Sequence, residues 1–217
     1  MFDGNGRYDL AILCGGAGQR MGGQDKGLLG LRLLERQVTF VEMLADRFRC
    51  PGLPDTSVII SANRNLSIYG RMPGIVVADL RPVRVGPLGG IESILAVASG
   101  NIPLVIVPCD MPLLPALLPL ELVSSLCSPD TIAVLHDGTQ RQPLCLALNP
   151  GHWRADLRDW LDAGGRSVHR WLEHKPVVEV RLPGVDAVQF ANINHPHDYA
   201  AVRGQPQHSD RFEILTG

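Results

Sequence analysis

The chain has 217 residues, of which 45% are hydrophobic and 19% charged, and its formal net charge is −2. These values are typical of one globular domain with a sizeable core, and they exclude a disordered chain and a protein devoted to a nucleic-acid backbone. The longest uncharged apolar runs fall short of the roughly 20 residues that span a bilayer, and the N-terminal segment lacks the apolar region of a secretory signal.

The cysteines predict a reducing compartment. Their number is odd, their spacing is wide and none forms a C-x-x-C motif, which argues against a disulfide framework or a structural zinc site. We therefore expect free thiols in a cytoplasmic protein. The five residues are Cys14, Cys50, Cys109, Cys127 and Cys145.

Strands and helices alternate along the first half of the chain. The predicted strands are 8–13, 57–61, 75–78 and 104–107. Helices are predicted over 33–49, after the glycine-rich loop 86–90, and over 117–126. This β-loop-α rhythm predicts an α/β fold with a mostly parallel, Rossmann-like sheet and helices on both faces.

The rhythm changes after residue 131. Two strands, 131–135 and 143–148, are joined by a polar turn and predict an antiparallel element in the later half. Helices are predicted over 153–161, 168–173 and 197–202, and strands over 177–180 and 189–193. The polar segment 204–217 is predicted to be a flexible tail after a single domain, 1–203.

A glycine-rich segment follows the first strand and is the most informative feature of the sequence. Five glycines occur within residues 15–23. Glycine lets the backbone approach a ligand and turn its N–H groups towards an anion. Arg20 and Lys26 add two cations, so the segment suits a polyphosphate. It matches neither a Walker A loop nor a dinucleotide fingerprint, because the residues beside Lys26 are wrong for the first and Met21 replaces a glycine of the second.

The same segment, read L-x-G-G-x-G-x-R-M-G-G-x-D-K-G-L, resembles the molybdenum cofactor guanylyltransferase (MobA-type) family of the nucleotidyltransferase superfamily. The likeness continues in order to about residue 200, through the motifs 61–64, 86–88, 108–112, 136–138 and 192–194. It implies the nucleotide-diphospho-sugar transferase type of α/β fold. The nucleotide-binding half would be about 8–126, and the pterin-side half about 131–203.

Carboxylates and amides are predicted at the carboxyl edge of the sheet, where open parallel sheets bind ligands. Asp110 follows a buried strand between two prolines, and a carboxylate fixed there suits Mg²⁺. The alternative is a cap for the next helix. The resemblance implies that Asp79 contacts the nucleotide. The alternative is that Asp79 only starts a turn at the end of a strand. Asn194 is the second metal candidate, and an Asx turn is the equal alternative for it and for Asn192.

The resemblance also implies the reaction and its residues. The terminal phosphate of molybdopterin would attack the α-phosphate of GTP, forming molybdopterin guanine dinucleotide and releasing pyrophosphate, with Mg²⁺ as cofactor. Arg20, Lys26 and Asp110 would be catalytic, and Arg166 would bind the pterin phosphate. The nucleotide would contact Leu13, Cys14, Gly15, Gly16, Gly18, Lys26, Asp79 and Asp110.

Other functions stay open at this point. One is a cytidylyltransferase or a sugar-phosphate nucleotidyltransferase of the same fold, and another is a non-catalytic nucleotide- or cofactor-binding protein. The family usually has alanine at the position of Cys14 and often asparagine at the position of Ser61. A nucleotide affinity or an activity that differs from the family's therefore also stays open. GTP and molybdopterin are the expected substrates, with other molybdenum-cofactor proteins or molybdoenzyme chaperones as candidate partners. Neither nucleic acid nor a membrane is expected as a partner.

Overall fold

A computed structural model describes residues 7–16, 22–33, 36–49 and 57–203. Within these ranges the strands and helices are numbered in chain order. The strands are β1 (Asp9–Leu13), β2 (Gly30–Leu33), β3 (Arg36–Thr39), β4 (Val58–Ser61), β5 (Ile75–Val77), β6 (Leu104–Pro108), β7 (Ile132–His136), β8 (Arg141–Leu148) and β9 (Val177–Val180). The helices are α1 (Phe40–Phe48), α2 (Leu66–Tyr69), α3 (Pro87–Val97), α4 (Leu118–Ser124), α5 (Pro150–Asp162), α6 (Val168–Leu172) and α7 (Pro196–Arg203).

Seven strands form one sheet in the order β5-β4-β1-β6-β8-β7-β9. β1 pairs in parallel with β4 and β6, β5 is parallel to β4, and β9 is parallel to β7. β8 runs antiparallel to both of its neighbours, β6 and β7. The prediction of a mostly parallel sheet with an antiparallel element in the later half is therefore confirmed.

Helices cover both faces of this sheet because the side chains of each central strand alternate between two apolar cores. Leu10 and Ile12 of β1 pack in the core shared with α1 and α4. Ala11 and Leu13 pack on the opposite face, in the core shared with α3, α5 and α6. None of the described helices combines the length and the apolar character needed to cross a membrane.

The single helix predicted over 33–49 is wrong in its first part. Residues 36–39 form β3, which pairs with β2 in an antiparallel hairpin, and α1 begins only at Phe40. Thr39 is the N-cap at which α1 begins. Its side chain accepts a hydrogen bond from the Glu42 N–H, and the Glu42 carboxylate accepts one from the Thr39 N–H. This capping box is a strong helix start, and the apolar spacing of the segment does not reveal it.

The strand predicted over 189–193 is also wrong. A 3₁₀ helix occupies Ala187–Phe190, started by Asp186, whose side chain accepts from the Val188 N–H. The chain is then fixed by one hydrogen bond, from the Ile193 N–H to the Asp110 carbonyl oxygen, rather than by a ladder. The flexible tail predicted over 204–217 lies outside the described residues.

Candidate active site

A cleft of about 500 Å³ opens at the carboxyl edge of β4, β1 and β6. The parallel direction of these three strands brings their final residues together, as parallel sheets do at a ligand-binding edge. Eight residues predicted from the sequence to bind nucleotide or metal line this cleft: Leu13, Cys14, Gly15, Gly16, Lys26, Asp79, Asp110 and Asn194. Two further predicted site residues, Gly18 and Arg20, lie outside the described residues.

Lys26 joins the two predicted metal ligands. Its ammonium donates to Asp110 Oδ2 at 3.1 Å and to Asn194 Oδ1 at 2.7 Å. The Lys26 and Asp110 side chains are only 17% and 25% exposed, so the ion pair is partly shielded from water. Oxygen atoms from distant parts of the chain thus converge on one positive charge.

The backbone holds Asn194 in that position from both sides. On one side the Ile193 N–H donates to the Asp110 carbonyl oxygen at 2.7 Å. On the other, the Asp198 carboxylate accepts from the N–H groups of Asn194 and His195, at 2.9 and 2.8 Å. These two backbone hydrogen bonds lower the pKa of Asp198 below its usual value, the one from Asn194 having the larger effect.

Lys26 itself is positioned by a short 3₁₀ helix, Lys26–Leu28, and by the residue before it. The Asp25 carboxylate accepts from the Tyr69 hydroxyl at 2.7 Å and from the Asn65 side-chain amide at 3.0 Å. A β-carbon at Gly27 would lie 2.5 Å from the Tyr69 hydroxyl oxygen, so only glycine allows this close approach. Burial is the main cause that raises the pKa of Tyr69, which keeps its hydroxyl a donor to Asp25.

The described part of the glycine-rich segment has the backbone freedom that the sequence predicts. Gly22 and Gly23 have φ angles of 65° and 82°, a region that other residues rarely adopt. Gly15 and Gly16 are exposed in the cleft, and a β-carbon at Gly16 would meet no described atom within 4 Å. Among the described residues, the space beside Gly16 at the end of β1 is therefore open.

Asn63 and Arg84 also line the cleft, and Arg64 contacts its glycines, although none of the three belongs to the predicted nucleotide or metal set. The Asn63 side-chain oxygen accepts from the Asp79 N–H at 2.9 Å and so fixes the loop that carries Asp79. The Arg84 guanidinium donates to the Gly15 carbonyl oxygen at 3.3 Å. Arg64 donates to the carbonyl oxygens of Gly16 and Gly23. The motif at 61–64 is a signal that could have identified Asn63 and Arg64.

Arg166 lies in a second, smaller cleft of about 390 Å³. Its guanidinium donates to the carbonyl oxygens of Leu161 and Gly165, at 3.0 and 2.6 Å, and so turns back on the C-terminus of α5. The two clefts are neighbours, because a β-carbon at Gly86, which lines the large cleft, would lie 4.0 Å from the Arg166 carbonyl oxygen. The second cleft is lined by Trp160, Ala163, Gly164, Gly165, Arg166, Ser167 and Arg170.

Cys109, which lines the cleft, is not suited to act as a nucleophile. Cys14 and Cys109 both line the cleft but are each only 6% exposed. A hydrogen bond with Cys14, followed by burial, raises the pKa of the Cys109 thiol well above its usual value. Since the thiolate is the reactive form, Cys109 is a poor nucleophile.

A glycine-rich segment and a charged cleft at the carboxyl edge of a mostly parallel sheet are typical of a nucleotide-binding α/β protein. Comparison with known proteins identifies the family. The model of the MobA-like NTP transferase domain matches residues 10–177, and the chain belongs to this family.

Named relatives agree with this assignment. The chain is 35% identical over 192 residues, 88% of its length and 92% of the relative's, to a molybdenum cofactor guanylyltransferase of Shewanella frigidimarina. It is 34% identical over 192 residues, 88% of its length and 90% of the relative's, to the protein of the same name in Shewanella halifaxensis.

Solved structures show the same fold. The molybdopterin-guanine dinucleotide biosynthesis protein A of Archaeoglobus fulgidus matches with a TM-score of 0.71 at 19% identity, covering 90% of this chain and 97% of that one. Rv0371c of Mycobacterium tuberculosis, solved as a complex with manganese, matches with a TM-score of 0.60 at 16% identity. That match covers 92% of this chain and 98% of the other.

Proposed function

We propose that the protein transfers GMP from GTP to molybdopterin, giving molybdopterin guanine dinucleotide and pyrophosphate. The observation that carries the proposal is the meeting of Lys26, Asp110 and Asn194 in one cleft beside a glycine-rich segment. The relatives named as guanylyltransferases, which match most of the chain, support the choice of nucleotide and acceptor.

The transfer needs no nucleophile from the protein, because the substrate supplies one. An oxygen of the molybdopterin phosphate bonds to the α-phosphorus of GTP, and the bond from that phosphorus to the bridging oxygen of the β-phosphate breaks. The protein's part is to position the two substrates and to stabilise the charge that develops. Lys26 and Arg20 would stabilise the departing pyrophosphate. Asp110 would be the third catalytic residue.

A divalent cation, Mg²⁺, fits the residues present. Asp110 supplies a carboxylate and Asn194 an amide oxygen, which are hard oxygen donors of the kind that Mg²⁺ prefers. Both oxygens accept a hydrogen bond from one positive charge, the Lys26 ammonium, at 3.1 and 2.7 Å, which supports the proposal that they share a cation. When bound, the metal would neutralise charge on the phosphates.

The nucleotide would lie along the edge of β4, β1 and β6. Asp79 and the backbone of residues 13–16 and 18 would contact it, since the described members of this set share the large cleft. In this division of the domain, the nucleotide-binding half is about 8–126 and the pterin-side half about 131–203, with Asn194 of the later half joining the metal site in the large cleft.

Arg166 would bind the phosphate of molybdopterin from the neighbouring second cleft. A guanidinium grips phosphate through a bidentate fork. The Arg166 side chain is exposed and its contacts are to carbonyl oxygens, so a phosphate would have to compete only with those.

We include in the proposal a cytoplasmic location and protein partners that supply molybdopterin or receive the product.

The test is pyrophosphate release by purified protein supplied with Mg²⁺, molybdopterin and either GTP or CTP. We expect turnover with GTP at least about 10-fold above turnover with CTP, a discrimination of about 1.4 kcal/mol. Preference for CTP would indicate a cytidylyltransferase. Binding of GTP without pyrophosphate release would indicate a non-catalytic nucleotide-binding protein, and either result would contradict the proposal.

A further inference from the structure

Arg64 bridges two parts of the glycine-rich segment. Its Nη1 donates to the Gly23 carbonyl oxygen at 3.0 Å, and its Nη2 donates to the Gly16 carbonyl oxygen at 3.2 Å. These two glycines are seven positions apart in the sequence. A planar guanidinium with two outward N–H groups is the side chain best suited to such a bridge, because its donors are fixed relative to one another.

The contacts of Arg64 belong to a larger attachment. Asn65 and Tyr69, which follow it on the same loop and on α2, hold the carboxylate of Asp25. The segment after β4 therefore contacts the glycine-rich segment at Gly16, Gly23 and Asp25. Asp25, the last of these three residues, immediately precedes Lys26 in the sequence.

Arg64 acts from outside the binding surface. It is not among the described residues that line the large cleft, whereas Gly15, Gly16 and Lys26 are. Both of its partners are backbone carbonyl oxygens, so it constrains the path of the chain rather than a side chain.

Such a constraint has value in this segment in particular. Glycine loses more conformational freedom on ordering than any other residue, and a glycine-rich anion site must lose it when the ligand binds. A bridge that holds Gly16 and Gly23 beforehand lowers that entropic cost, which improves affinity without any new contact to the ligand.

We propose that Arg64 is a positioning residue that holds the backbone of Gly16 and Gly23 in place for the phosphates of the nucleotide without touching them. The proposal rests on the proposed function, because it takes a nucleoside triphosphate to be the ligand of the cleft. It adds a residue whose effect is exerted through the carbonyl oxygens of Gly16 and Gly23.

The first experiment measures hydrogen exchange in the absence of nucleotide. In Arg64→Ala, the peptide that carries Gly15, Gly16 and Gly23 should exchange at least about 10-fold faster than in the wild type, because local opening governs exchange. Arg64→Lys keeps the charge but not the fork, so it should resemble the alanine variant. Arg71→Ala removes one charge from an exposed position in the turn after α2 and should exchange like the wild type.

The second experiment measures GTP affinity by calorimetry and then kinetics. Arg64→Ala and Arg64→Lys should weaken GTP binding about 10-fold and raise the KM for GTP, while kcat changes less than about 3-fold, since uniform binding energy is lost. Guanidinium ion added to Arg64→Ala should restore affinity, and methylammonium should not. A residue needed only for folding would lower the Tm and show no rescue by guanidinium.

Two results would overturn the proposal. The first is unchanged exchange in nucleotide-free Arg64→Ala together with weaker GTP binding, which would make Arg64 a direct ligand. The second is wild-type GTP affinity in Arg64→Lys, which would reduce the role to charge. Because the exchange measurement contains no substrate, a failure of guanylyl transfer in the wild type would contradict the proposed function without deciding this one.

Discussion

The Nζ atom of Lys26 lies 3.1 Å from Asp110 Oδ2, although 84 positions separate the two residues in the sequence. In Lys26→Ala we expect turnover to fall by about 100-fold or more, the usual cost of removing one charged donor from a transition state of this kind. The fold should persist, because Lys26 belongs to a 3₁₀ helix at the cleft and not to a core. Pyrophosphate release gives the turnover, and circular dichroism checks the fold.

Lys175→Ala is the matched control for this substitution. Lys175 is 18% exposed and pairs with Asp156 at 2.5 Å, so it resembles Lys26 in burial and pairing but belongs to a different part of the protein. It should lose stability and keep wild-type turnover. Similar turnover losses in both variants would show that Lys26 acts only through the fold.

Asp110→Asn should weaken binding of a divalent cation. The substitution keeps the size of the side chain but removes the charge that a hard cation prefers. We expect the Kd for Mn²⁺, read from the loss of the free-ion signal in electron paramagnetic resonance, to rise at least about 10-fold. Asn194→Ala should have a smaller effect, because it removes a neutral ligand.

Asp156→Asn tests whether that effect is local. Asp156 is likewise a carboxylate paired with a lysine, and it accepts from the Trp171 indole N–H, away from the cleft. It should bind Mn²⁺ like the wild type. Equal Mn²⁺ affinity in wild type and Asp110→Asn would show that the metal does not use this carboxylate.

The fold could be predicted from the sequence where local pattern and tertiary structure agree. The buried strands β1, β4 and β6 are short apolar runs, and their carboxyl ends carry the glycines after β1, Asn63 and Arg64 after β4, and Asp110 after β6, all within the motifs. The hairpin of β2 and β3 could not be predicted in this way, because the apolar positions of residues 31–48 also fit a helix. Leu31 and Phe40 pack instead in a small separate core with Ile193, a contact that no local pattern encodes.

The site was predictable in its residues but not in its connections. Lys26, Asp110 and Asn194 could each be named from a motif, yet their mutual hydrogen bonds depend on how three distant loops meet. Asn194 illustrates the limit, because its expected strand is absent and a tertiary hydrogen bond from Ile193 places it instead. Arg64 escaped prediction as a contact of the glycines because the pairing of β1 and β4, and not sequence distance, brings it there.

Asp198 should make the stability of the protein depend on pH below about 4. Its pKa is lowered in the folded state by the N–H groups of Asn194 and His195, and to a smaller extent by His197 and His195. The ionised carboxylate therefore favours folding. This contribution is present above the unfolded-state pKa of about 3.9 and is lost as the pH falls through the lower folded-state value.

Urea unfolding of wild type and Asp198→Asn between pH 5 and pH 3 measures this effect. This interval lies below the ordinary titration range of histidine side chains, which is centred at about pH 6.5. The wild type should be the more stable at pH 5, and the difference should shrink as the pH falls. If the stability difference between the two proteins stays constant over the interval, the charge of Asp198 does not contribute to stability.

Gly90 of α3 allows the helix to approach the edge of the sheet, and Gly90→Ala should destabilise the fold. An added β-carbon would lie 2.7 Å from Ser61 Oγ, closer than packed atoms allow, and 3.0 Å from Leu13 Cδ2, a tight contact that Leu13 must shift to relieve. Overpacking typically costs about 1–3 kcal/mol, and we expect the free energy of unfolding in urea to fall by about that amount. This loss occurs even though replacing glycine by alanine within a helix otherwise stabilises it by about 1 kcal/mol. Adding Ser61→Ala removes the nearer contact and should restore part of the loss. Gly100→Ala is the control, because its β-carbon would lie 3.6 Å from the Gly151 Cα, an ordinary contact. Equal stability of Gly90→Ala and wild type would show that α3 can shift freely on the strands that form the cleft.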